Sequence, residues 1–126
     1  MSLANNSLLN SLGLVGFWVT DDDIFLPNIT IQAGAYPIKG ETSRVTVASA
    51  GSSMLLRSVL SGDAAPMTYV INDSGQAVSV FPSLGEQNNG GTNTSLSIPA
   101  GQSGVFVRVP NNLAGSSSGW RSAVIP

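Results

Sequence analysis

The sequence predicts an all-β fold, either an antiparallel β-sandwich or a jelly-roll-like barrel, preceded by an N-terminal arm or short helix. Along most of the 126 residues, apolar side chains recur at every second position, which places them on one face of a strand. Segments rich in Gly, Pro, Asn and Ser separate these stretches about every 8–12 residues, a spacing typical of sandwiches and barrels. We therefore expect an arm or short helix over residues 1–16 and a single β-sandwich domain over residues 17–126.

The N-terminal segment contains the one stretch with helical spacing, from Ser2 to Val15. A short helix fits this pattern, and so does an extended arm that becomes ordered only against a partner. No charged residue accompanies the leucines of this stretch, and exposing so many apolar side chains to water is costly. We therefore predict that these leucines contact a partner: Leu3, Leu8, Leu9, Leu12 and Leu14.

The strands are expected to follow from Phe17 onwards. Phe17–Thr20 and Ile24–Leu26 flank the acidic run Asp21–Asp23, which is predicted to be a turn between two short strands. The remaining alternating or densely apolar segments are residues 28–32, 44–48, 54–60, 67–71, 77–81, 96–98, 105–109 and 120–125. Such alternation is what a sheet with one buried face requires.

Two turns are predicted to close hairpins. Asn72-Asp73-Ser74-Gly75 is typical of a tight turn and lies between the strands at 67–71 and 77–81. Pro99-Ala100-Gly101 is expected to fold the strand at 96–98 onto the strand at 105–109, because Pro presets φ and Gly accepts a positive φ.

The composition excludes several classes of function. The chain has no Cys and no His, which excludes disulfides, thiolate nucleophiles, Cys/His zinc sites and His-based catalytic triads. Five scattered cations and a net charge of −2 argue against nucleic-acid binding. No apolar run reaches the ~20 residues of a membrane helix. The residues before Lys39 include no Lys or Arg, so the N-terminal segment is not predicted to be a secretory signal. We expect no cofactor, no metal and no membrane partner.

The acidic and aromatic residues do not predict an active site. Asp21–Asp23 lacks the spacing of a calcium loop, so a solvated acidic turn is favoured over a structural calcium ion. The remaining acidic residues are expected in separate loops, so they do not predict a glycosidase pair: Asp63, Asp73 and Glu86. Four aromatic residues are expected to fill the core or a subunit interface rather than form a sugar-stacking platform: Trp18, Phe81, Phe106 and Trp120. We therefore expect a protein that is not an enzyme.

An ordered series of short motifs runs through the last two thirds of the chain. These are YVINDSGQAV at 69–78, VFP at 80–82, GEQNNGG at 85–91, LSIPAGQSGVFV at 96–107 and GWR at 119–121. In this order they resemble a group of short virion proteins of tailed bacteriophages, several of which are capsid cement or decoration proteins built as trimers of β-sandwich protomers. No catalytic residue belongs to the pattern.

The resemblance implies a capsid decoration protein. Such a protein would be a homotrimer that binds the major capsid protein on the outer surface of the phage head and stabilises the head. It would reside in the host cytoplasm during assembly and in the virion afterwards. Two alternatives stay open, namely a tail, fibre or host-attachment virion module of the same fold, and a carbohydrate-binding domain.

Overall fold

The computed structural model describes residues 20–60, 66–109 and 119–126. In these residues the chain is all-β, with eleven strands and no helix, which confirms the all-β part of the predicted fold class. The strands are β1 (Thr20–Phe25), β2 (Tyr36–Pro37), β3 (Thr42–Val47), β4 (Ser52–Leu55), β5 (Met67–Asn72), β6 (Val78–Phe81), β7 (Gln87–Asn88), β8 (Gly91–Thr92), β9 (Leu96–Ile98), β10 (Ser103–Val109) and β11 (Gly119–Ile125). The arm or short helix predicted for residues 1–16 lies outside the described residues.

The strands form two sheets, and both sheets are mixed rather than antiparallel. The larger sheet has the order β1-β3-β5-β10-β11-β7-β8, and the smaller one has the order β2-β4-β6-β9. The pairs β1/β3, β3/β5, β2/β4, β4/β6 and β7/β11 are parallel. The prediction of an antiparallel sandwich was therefore wrong about strand direction.

The parallel pairs arise because the first six strands wind as a coil. Odd-numbered strands β1, β3 and β5 enter the seven-stranded sheet, and even-numbered strands β2, β4 and β6 enter the four-stranded sheet. Each turn of the coil thus adds one strand to each sheet and packs only on its neighbours, as in a solenoid. The chain then reverses, so that β9 pairs antiparallel with β6, and β10 pairs antiparallel with β5.

Both predicted hairpins are instead connections between the two sheets. The segment Asn72–Gly75 leads from β5 in the larger sheet to β6 in the smaller one, and Pro99–Gly101 leads from β9 back to β10 in the larger sheet. Asn72 joins these connections, because its backbone N–H donates to the Gln102 carbonyl at 2.9 Å and its carbonyl accepts from the Gly101 N–H at 2.8 Å. Its fully buried side chain also contacts both connections.

The hydrophobic core lies between the sheets. The larger sheet contributes Ile24, Val45, Val70, Phe106 and Trp120, and the smaller sheet contributes Met54, Val78, Val80 and Ile98. Connecting segments add Leu26, Ile38, Leu56 and Val59. Burial of Phe106 and Trp120 agrees with the core role expected for them, Phe81 is half-buried, and Trp18 lies outside the described residues.

The alternation of β5 is present, but the buried face is not the more apolar one. Thr68 and Val70 point into the core, whereas Met67, Tyr69 and Ile71 lie on the opposite, outward face. The same holds for β10, where Phe106 is fully buried and the valines at 105, 107 and 109 face outward. Two adjacent central strands thus carry their larger apolar sets away from the core.

Two local predictions in the first part of the chain were also wrong. Asp21–Asp23 is part of β1 rather than a turn, because β3 pairs on both sides of the run and the register shifts between Asp21 and Ile24. Asp23 takes up the extra length with a φ of 56°, as in a β-bulge. Residues 28–32 form no strand, because the backbone and side chain of Ser53 bind the carbonyl of Ile29 in place of a partner strand.

Candidate interaction surface

The outward side of the seven-stranded sheet carries an apolar surface, which we call the outward face and which Ser103 and Arg121 interrupt. It is formed by alternate residues of β5, β10 and β11: Met67, Tyr69, Ile71, Val105, Val107, Ala123 and Ile125. The register places them in rows, since Val105 lies between Tyr69 and Ala123, and Val107 lies opposite Met67. The exposed fractions are 37% for Met67, 42% for Val107 and 45% for Ile125.

An apolar outward face is unusual for a sheet that borders water on that side. An antiparallel sheet with one solvated face alternates between apolar and polar residues, whereas a sheet covered on both faces is apolar on both. Strand β10 follows the second pattern, with Phe106 on its inner side and Val105 and Val107 on its outward side. Sequence reasoning missed this surface, although a strand with valines on one face and phenylalanine on the other signals it.

One end of the outward face is bordered by an ion-pair cluster on exposed side chains. Arg44, which pairs in register with Ile71, contacts Asp22 at 3.0 Å and Asp73 at 2.7 Å. The Arg44 guanidinium holds the pKa of Asp22 below its usual range, and Asp73 and Asp22 together raise the pKa of Arg44. Because these groups are exposed, the pairs add little stability, but they neutralise the cation beside the apolar surface.

The acidic run Asp21–Asp23 does not form a cation site. Asp21 accepts a hydrogen bond from the Tyr36 hydroxyl at 2.7 Å, and Asp23 accepts one from the Thr46 hydroxyl at 2.8 Å. The hydrogen bond to Asp21, together with burial, raises the pKa of Tyr36. Across the described residues, no three acidic side chains converge as metal ligands.

The loop between β6 and β9 is held by a buried carboxylate and a tight hairpin. Glu86 is 8% exposed and accepts hydrogen bonds from the Ser58 hydroxyl and, at 3.0 Å, from the Val59 N–H. Beyond it, Asn89 and Gly90 connect β7 and β8 with φ values of 54° and 85°, the geometry of a two-residue hairpin turn. Glu86 therefore fixes a loop, and this is a structural role.

The other predicted site residues do not converge. Asp73 pairs with Arg44, Glu86 binds the segment at 58–59, and Asp63 lies outside the described residues. Among the described aromatic residues, Phe25 is the exposed one, at 66%. The partner-contacting leucines Leu3, Leu8, Leu9, Leu12 and Leu14 lie outside the described residues.

Within residues 20–60, 66–109 and 119–126, three buried polar atoms have no hydrogen-bond partner: Glu41 Oε2, Ser43 Oγ and Trp120 Nε1. Glu41 directly precedes β3 and Ser43 lies near its start, whereas Trp120 lies on β11, three strands away in the sheet order. Burial raises the pKa of the Glu41 carboxyl. Because Trp120 lies far from Glu41 and Ser43, the three atoms do not form a common ligand site. We interpret each as a buried polar group that destabilises the fold locally.

In the part of the chain that the structure describes, no helix has the length and apolarity to cross a membrane. Comparisons of the chain with family models, curated proteins and solved structures found no match. Interpretation of function therefore depends on the outward face, the charge distribution and the motifs in the sequence.

Proposed function

We propose that the chain is a bacteriophage capsid decoration (cement) protein, which binds the major capsid protein on the outer surface of the head and stabilises the head against internal pressure. The observation that supports this most directly is the outward face. A chain that works alone in water has no use for a second apolar face, whereas a component of a symmetric assembly does. The ordered motifs between residues 69 and 121 support the same proposal through the resemblance they carry.

The chemistry of the surface suits stable assembly. Burial of apolar area contributes roughly 25 cal/mol per Å² before ordering costs. The area that an assembly can still bury is the exposed part of each side chain, which is 37% for Met67, 42% for Val107 and 45% for Ile125. The outward face contains Ile71, Val105, Val107, Met67 and Ile125, so its burial can hold subunits together without help from charges. Charged residues make up 10% of the chain, which fits binding that is independent of electrostatic steering.

We place the protein in the host cytoplasm during assembly and on the virion surface afterwards, as a homotrimer. In the trimer the N-terminal leucines contact a neighbouring subunit or the capsid protein. Edge strands of small β proteins need cover, and the near-neutral Ser, Thr and Val surfaces of this chain are compatible with that cover coming from other copies.

Cosedimentation with phage heads that lack the protein tests the proposal. We expect saturable binding at micromolar protein and a higher melting temperature of the heads. Heads that already carry the protein are the control and should bind little more. Failure to bind vacant heads while the protein remains folded by circular dichroism would contradict the decoration role.

The coil supports one alternative, a tail, fibre or host-attachment module. In the described chain β1 and β2 each have one neighbouring strand and lie at the same end of the coil. Such an end can stack on a further coil, as elongated fibres require. Purified tails and heads, incubated separately with the protein, distinguish the two roles, because binding to tails alone would favour the alternative.

A further inference from the structure

We propose that the outward face is the docking surface for residues 2–15 of a second copy of this chain. The inference rests on the homotrimer of the proposed function. It adds which surface accepts the N-terminal segment and which chain supplies it.

The acceptor is complete in the described residues. One apolar row crosses β5, β10 and β11 through Tyr69, Val105 and Ala123, and a second joins Met67 on β5 to Val107 on β10. These are the residues whose spacing is typical of a buried face, yet the core lies on the other side of both central strands. A chain segment packed on the outward side of β5, β10 and β11 would bury these apolar side chains, as their alternating pattern predicts.

The donor is matched to the acceptor in charge and in length. Residues 2–15 include five leucines and no charged residue. Fourteen residues span about 21 Å as a helix or about 46 Å extended. The acceptor face spans three neighbouring strands, β5, β10 and β11, and is therefore about 10 Å wide between the outer two. In either form the segment can therefore cross a face of this width.

Charges at the margins do not oppose such docking. Arg44 lies at one corner of the outward face and is paired with Asp22 and Asp73. Arg121 lies at the opposite corner, in the row of Val107. An uncharged apolar segment neither loses an ion pair nor meets an unpaired acid when it covers the surface between these corners.

Symmetry favours a second copy as the source. An isologous contact between two outward faces joins chains in pairs, whereas a closed ring of three needs two different surfaces on every chain. The N-terminal segment and the outward face are two such surfaces. When each chain passes its segment to the next, three chains close a ring and every outward face is covered.

Cysteine cross-linking tests the contact, because the full chain contains no cysteine of its own. One set of chains carries a single substitution in the segment, L3C, L8C, L9C, L12C or L14C, and is refolded together with V107C chains under mild oxidation. We expect at least one leucine position to give a disulfide-linked heterodimer. S97C is the matched acceptor control, because Ser97 is exposed on β9 of the other sheet.

The yields decide the proposal. A cross-link to V107C that exceeds the cross-link to S97C about tenfold supports docking in trans. Equal yields with both acceptors, or no heterodimer at any of the five positions, overturn it. A double variant such as L9C/V107C that forms only an intramolecular disulfide also overturns it, since the segment then covers its own sheet.

A second measurement separates this inference from the proposed function. Light scattering should give about three times the 12.9 kDa chain mass for the unmodified protein and for V107T, and about one chain mass for V107D. A trimer that V107D leaves intact contradicts the docking surface while the decoration role stands. An unmodified protein that is monomeric contradicts the trimer, and with it the docking in trans, whereas binding to vacant heads tests the decoration role independently.

Discussion

Replacing Asn72 by Ala should destabilise the fold strongly, although Asn72 lies next to a connection between strands. Its side-chain amide donates to the carbonyls of Gln76 at 2.8 Å, Ile98 at 2.9 Å and Pro99 at 3.2 Å, and its oxygen accepts from the Ser74 hydroxyl at 2.6 Å. Water can replace the part-buried contacts, but the contacts to Ile98 and Ser74 are buried. A buried group left unpaired costs about 1–3 kcal/mol, so two of them predict a loss of about 2–6 kcal/mol.

Urea unfolding followed by circular dichroism measures this loss. N72D should cost more than N72A, because an oxygen would replace the nitrogen that faces three carbonyl oxygens. N28A is the matched control, since Asn28 is exposed, and it should change stability by no more than about 0.5 kcal/mol. An N72A protein as stable as N28A would refute the conclusion that this amide holds the two inter-sheet connections together.

Further predictions concern a carboxyl group, a glycine and the capsid contact. Burial raises the folded-state pKa of the Glu41 carboxyl above its unfolded value. The stability that the protonated carboxyl contributes is therefore complete below pH 4.5 and is lost as the pH rises through the folded-state pKa. E41Q should therefore raise the melting temperature at pH 7 by a few degrees at most, and by less at pH 4; an equal gain at both would contradict this. A Cβ at Gly119 would lie 2.1 Å from the Gln87 carbonyl oxygen, so G119A should lower the free energy of unfolding by about 1–3 kcal/mol or more in thermal unfolding. G75A is the control and should be near neutral, because a Cβ at Gly75 would meet open space. Binding to vacant heads should weaken less than about tenfold between about 0.1 and 1 M NaCl, and a hundredfold loss would show that charges carry the contact.

The period of the strands was predictable from the sequence, but the choice of buried face was not. In β10 both faces are apolar, so local alternation shows a strand without showing which side meets the other sheet. That choice depends on the connections at Asn72 and at Pro99–Gly101, which pass the chain from one sheet to the other. The same turn residues suit a hairpin and a crossing between sheets, so the parallel coil could not be predicted from local turn chemistry.

The candidate interaction was also predictable only in part, since the sequence indicated the contacting leucines but not the surface that accepts them. Leucines without charges in residues 1–16 were sufficient to predict a partner contact, which remains a prediction. The acceptor surface required the fold, because Met67 and Val107 become neighbours only when β5 and β10 pair in antiparallel register. Asp21–Asp23 lacked calcium-loop spacing in the sequence, and in the structure its outer carboxylates bind Tyr36 and Thr46 separately.

The coil also has a consequence for synthesis on the ribosome. Because β1 to β6 join their sheets in chain order, each turn can pack on the previous one as it leaves the exit tunnel. Phe106 and Trp120 are the two largest fully buried side chains of the described residues, and they come from β10 and β11, which are translated after those turns. A nascent chain that ends before Ser103 therefore holds two growing sheets with the centre of the core still unfilled. We expect chaperones to bind most strongly at that stage, and release to follow the insertion of Trp120.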